Sequence, residues 1–69
     1  MTHTVEAVAL RTSKALREAA IAMEHECEFN VNETLGWSRT RQRDNNLRIT
    51  WSRELHARAD AAAKYGRVT

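Results

Sequence analysis

Leu47-Arg-Ile-Thr-Trp-Ser-Arg-Glu-Leu-His-Ala-Arg-Ala-Asp-Ala-Ala-Ala-Lys-Tyr65 is the stretch whose reading decides the fold. At helical spacing, Leu47, Trp51, Leu55, Ala59, Ala62 and Tyr65 fall on one stripe, each three or four residues from the last. Arg48, Arg53, His56, Asp60 and Lys64 fall off it. Lys64 suits a last helical turn, and Gly66 offers a residue able to leave the helix with positive φ. The rival reading takes Leu47 to Trp51 as a strand, because Ile49 and Thr50 favour extended backbone and Ser52 then caps a shorter helix. Helix accounts for more residues, so it is preferred.

Working outward, the absence of proline and the presence of only 2 glycines favour long uninterrupted elements. Thr2 or Thr4 can cap a first helix running from Val5 to about Glu28, with Val5, Ala9, Thr12, Leu16, Ala19, Ala20, Met23 and Cys27 along one face. That face is rich in alanine and calls for bulk opposite it, which Trp37, Trp51 and Leu55 can supply. Phe29 to Glu33 reads as a connection, and Asn30 with Glu33 has the spacing of a capping box. A second helix then runs from about residue 34 to 65, although Gly36, Ser38, Thr40, Asn45 and Asn46 are weak helix formers. With the turn near Val31, Leu16 falls opposite Leu47 and Thr12 opposite Trp51.

The expected fold is therefore all-α: one domain over 1–69, an antiparallel hairpin that dimerises into a four-helix arrangement. Leu16, Met23, Trp37, Leu47, Trp51 and Leu55 are the expected core and dimer residues. The alternative is an α+β fold with a ribbon strand at 47–51. A chain of 69 residues buries too little surface to be comfortable alone, and Cys27, its single cysteine, cannot close an intramolecular bridge. A second copy is the expected remedy, and a lone thiol fits a reducing cytoplasm. No apolar run is long enough to span a membrane, and no signal-peptide core is present.

Charge is unevenly spread. The first 34 residues hold three basic and six acidic side chains; the rest hold eight basic and three acidic. Antiparallel pairing brings Glu24, Glu26, Glu28 and Glu33 near Arg39, Arg41 and Arg43, neutralising part of the excess. Those three arginines, with Arg48 and Arg53, are the candidate partner-binding residues, because guanidinium forks suit carboxylate and phosphate alike. Only Trp37 and Trp51 flank the run, which argues against stacking on single-stranded nucleic acid.

Enzymatic chemistry has little to stand on. His25 and Cys27 are two apart and diverge on a helix, so neither completes a metal site. Cys27 has no feature to lower its pKa, and His56 sits among solvated neighbours. No phosphate loop, nucleophile elbow or paired-carboxylate arrangement occurs. No catalytic residue, metal or cofactor is assigned.

Arg48-Ile-Thr-Trp-Ser-Arg-Glu-Leu55, with Arg58, Asp60, Ala63-Lys-Tyr-Gly66 and Thr69, resembles the strand and first helix of ribbon-helix-helix repressors, over about a third of the chain. That resemblance implies that Arg48, Thr50 and Ser52 enter a DNA major groove. The family continues into a second helix after the glycine, whereas Gly66 is followed by three residues. In length and helical character the chain is also similar to small phage proteins that disable host regulators early in infection, including anti-activators of quorum-sensing transcription factors. This second resemblance implies a cytoplasmic, non-enzymatic inhibitor that occupies a host protein's surface, the target a transcription regulator or an ATPase. A small dimeric nucleic-acid-binding regulator is the alternative function.

Overall fold

The computed structural model describes residues 5–66 and consists of helices, with no strand among them. Helix α1 runs Val5–Glu24, a single turn α2 covers Val31–Thr34, and α3 runs Arg39–Gly66. Helices α1 and α3 pack along their length as an antiparallel hairpin, so the fold is the all-α hairpin that the periodicity predicts. The rod measures 54 × 19 × 15 Å. Residues 47–51, the alternative ribbon strand, lie inside α3. The cap expected at Thr2 or Thr4 lies outside the described residues.

Both long helices are shorter at the turn than periodicity suggests. Helix α1 stops at Glu24, and amides just beyond it bond three residues back, Glu26 N–H to Met23 O and Cys27 N–H to Glu24 O. The cause is electrostatic: Glu24, Glu26 and Glu28 place negative charge at the end where the helix dipole wants a cation, and the last turn holds no basic residue. Helix α3 starts at Arg39 rather than near 34, because the Ser38 hydroxyl caps it by accepting from Arg41 N–H at 3.2 Å. Between them Asn30 caps α2, its side chain accepting from Asn32 N–H at 3.0 Å. At the other end α3 runs through Gly66, so that glycine does not mark an exit.

The longer connection moves the register. Ser13 donates to the Ala59 carbonyl at 2.7 Å, and Glu28 meets Asn45, so Leu16 faces the level of His56 and not that of Leu47. It also changes which side of α3 is inside. The seam of α1 is Ala9, Ser13, Leu16, Ala20 and Met23, continued by Cys27 just beyond the helix; that of α3 is Gln42, Asn45, Ile49, Ser52, His56, Ala59 and Ala63, all half-buried or buried. Spacings of three and four alternate along both, the period of a left-handed coiled coil. Ala20 and Ala59 are fully covered, and Ser52 and Asn45 nearly so, at 1% and 4% exposure.

Small residues at the seam let the two backbones approach closely, and that closeness excludes large ones. Trp51 and Leu47, expected in the core, are 48% and 41% exposed. Leu55 sits half-buried at the seam's edge, Leu16 and Met23 are half-buried within it, and Trp37 is half-buried near the turn. Buried polar side chains are all satisfied among the described residues; Ser52, for instance, donates to Ile49 O at 2.8 Å. The hairpin is held by a thin, partly polar seam.

Candidate functional site

The turn end of the hairpin is organised by Asn45. Its Oδ1 accepts from Glu28 N–H and its Nδ2 donates to Glu28 O, both at 2.8 Å, so one side chain satisfies an entire backbone unit of the connection. Gln42 Nε2 adds a bond to Thr34 O at 2.7 Å, and the Glu28 carboxylate accepts from Asn30 N–H at 3.1 Å. These bonds fix a connection that would otherwise wander.

On this fixed frame the large apolar side chains point outward. Phe29, Val31 and Leu35 are 56%, 71% and 70% exposed. Val31, Thr34 and Leu35 with Gln42, Asn45 and Asn46 line a cleft of about 250 Å³. The Arg41 guanidinium lies 3.8 Å from the centre of the Trp37 ring, a cation–π stack that holds the indole against the start of α3.

The arginines are not equivalent. Arg39, Arg43 and Arg53 are exposed and, with Asn46 and Thr50, follow one stripe of α3 at spacings of three and four. Arg39, Gln42, Arg43, Asn46, Leu47 and Thr50 line a shallow groove of about 360 Å³ there. Arg41 is committed to Trp37. Arg48 is half-buried, and its charge bears on Cys27. Among the described residues no ion pair joins the run to Glu24, Glu26, Glu28 or Glu33, which were expected near it; the two helices are bridged instead by the Arg17–Asp60 ion pair and by the hydrogen bond between His56 and Glu24. The shift of register carries most of those carboxylates past the arginines.

That second cluster escaped the sequence reading. Arg17 Nη1 donates to His56 Nδ1 at 2.7 Å, and His56 Nε2 lies 2.5 Å from Glu24 Oε1. Arg17 Nη2 also bonds Asp60. Because Arg17 can only donate, Nδ1 is the acceptor, and the ring proton belongs on Nε2, facing Glu24. The bond from Arg17 and its positive charge hold the Asp60 carboxyl below its ordinary range. A 3.5-residue count through the small polar residues would have pointed to His56; a count through the bulky ones led away from it.

Cys27 donates weakly to Met23 O at 3.3 Å, and burial pushes its thiol up, with Arg48 opposing. A raised thiol is a poor nucleophile. No group of three or more metal-binding side chains occurs among the described residues, and no helix there is long and apolar enough to cross a membrane. No protein-family model matches this chain, and neither a curated protein nor a solved structure does.

Proposed function

We propose that the hairpin is a non-enzymatic protein-binding inhibitor, of the phage host-takeover kind, that occupies a functional surface of a regulator such as a quorum-sensing transcription factor. One observation carries this reading: large apolar side chains at the turn lie exposed on a hydrogen-bonded frame beside exposed arginines. Phe29, Val31 and Leu35 offer apolar contact area, and Arg39 and Arg43 offer charge-assisted bonds to carboxylates at its rim. A frame already fixed by Asn45 and Gln42 loses little conformational entropy on binding. The partner surface is accordingly an apolar groove with acidic edges.

A second reading, a nucleic-acid-binding regulator, is favoured by the stripe of Arg39, Arg43 and Arg53 with Asn46 and Thr50, which carries no acid. The two readings separate cleanly in a pull-down from host lysate with and without nuclease, paired with a gel shift on random duplex across a salt series. The inhibitor reading expects a stoichiometric, nuclease-resistant protein that is lost with Leu35→Ala and with the Arg39→Glu, Arg43→Glu double variant. Duplex binding that falls steeply with salt and disappears in the double variant while Leu35→Ala retains it would overturn that reading.

A further inference from the structure

The ion pair between Arg17 and Asp60 marks one edge of the α1–α3 seam, since each residue directly follows a seam position, Leu16 and Ala59. Residues that directly precede seam positions fall on the opposite edge: Thr12 and Ala19 on α1, Arg48, Leu55 and Ala62 on α3. Extended by one more position, that side of α1 is a stripe of Val8, Thr12, Ala15, Ala19 and Ala22, all exposed. The same side of α3 carries Trp51, Leu55, Arg58 and Tyr65. One face of the hairpin thus pairs a shallow alanine floor with a bulky ridge, and neither is covered.

We infer that this face docks a second copy of the chain through a two-fold axis parallel to the helices. Such an axis preserves height along the rod and sets α1 of each copy antiparallel to α3 of the other. Heights are fixed by the bonds of Ser13 to Ala59 and of Asn45 to Glu28. They place Ala22 level with Trp51, Ala19 between Trp51 and Leu55, and Val8 level with Tyr65. Trp51 of the second copy then covers Ala22 and Ala19, the largest side chain lying over the smallest, and the same contact repeats on the other side of the axis. The opposite arrangement, floor on floor, leaves voids along both alanine stripes and sets ridge against ridge.

Area points the same way. The accessible surface is 5536 Å², against ~4,400 Å² for a compact monomer of this mass. A face of two helices about 30 Å long removes roughly 1,000 Å² or more from water across both copies, enough for a specific interface. The occupant is a second copy rather than another protein because the floor and the ridge that fit one another are on the same chain.

Sedimentation equilibrium of the reduced full chain at micromolar concentration tests this directly. The parent is expected to be a dimer, Ala22→Glu and Trp51→Arg each to raise the dissociation constant at least about tenfold, and Lys14→Glu, on the opposite edge, to leave it unchanged. Mixing the two weakened variants is expected to restore a heterodimer. Of its two symmetry-related contacts, one then sets the introduced carboxylate against the introduced guanidinium, and the other keeps the native Ala22 and Trp51. This complementation reads the contact even if either variant unfolds alone. A monomeric parent, a different stoichiometry, variants that associate like the parent, or a mixture that stays apart would each overturn the inference.

Discussion

Asn45 holds Glu28 by both of its backbone polar groups, accepting from the N–H and donating to the carbonyl at 2.8 Å each. The pair joins the second turn of α3 to the start of the connection that follows α1, seventeen residues away. It stands in for a stretch of backbone ladder that a helical hairpin does not have. Replacing Asn45 by Ala strands a donor and an acceptor in a buried position and is expected to cost about 2–3 kcal/mol. Asn45→Asp keeps the acceptor and repels the Glu28 carbonyl, so it should recover only part of the loss. Urea midpoints at constant slope measure both.

Close approach of the helices at Ala20 and Ala59 makes the seam intolerant of bulk. Ala59→Leu forces the backbones apart and displaces the Ser13 bond to the Ala59 carbonyl, with an expected cost of about 1–3 kcal/mol or more. Ala57→Leu, on an exposed position of the same helix, is the control and should be close to neutral. Thermal unfolding by circular dichroism distinguishes them.

His56 should carry its proton on Nε2, which long-range nitrogen-15 correlation of the ring reports directly. His56→Ala removes the acceptor for Arg17 and the donor for Glu24 and is expected to cost about 1–2 kcal/mol. A ring protonated on Nδ1 instead would mean that Arg17 has turned away.

Asp60 gives a pH dependence with a definite sign. Its carboxyl is held below the ordinary range in the folded chain by Arg17, so the pair's contribution is present above the unfolded carboxylate's pKa. It is lost as pH falls through the lowered folded value. Asp60→Asn should therefore flatten the acid side of the stability profile while changing little at neutral pH, because the pair is largely exposed and screened. Acid titration of the denaturation midpoint in parent and variant measures it.

The all-α hairpin was legible because alanine, arginine and the lack of proline leave little else for so long a stretch. Its inner face was not, because apolar periodicity weighs side chains by size, and here the largest ones lie outside. Trp51 and Leu47 drew the stripe toward themselves, whereas Ser52 and Asn45, polar in composition, are among the most buried residues. The shorter α1 hung on three glutamates opposing a helix dipole, a weak effect that apolar periodicity does not register. Among the candidate arginines, Arg39, Arg43 and Arg53 are exposed on one stripe. Arg41 was placed by its aromatic neighbour, and Arg48 by a register ten or so residues from the one that a turn at Val31 implies.

A seam whose most buried positions are alanine, serine and hydrogen-bonded asparagine leaves the bulky residues of the connection free of packing duty. Phe29, Val31 and Leu35 can therefore be exchanged one at a time without opening a hole behind them. Affinity and stability draw on separate sets of positions, so a library randomised at these three sites should yield folded hairpins at high frequency, each with its own preferred target. A chain of this kind can follow a changing opponent by substitution alone, while its scaffold stays untouched.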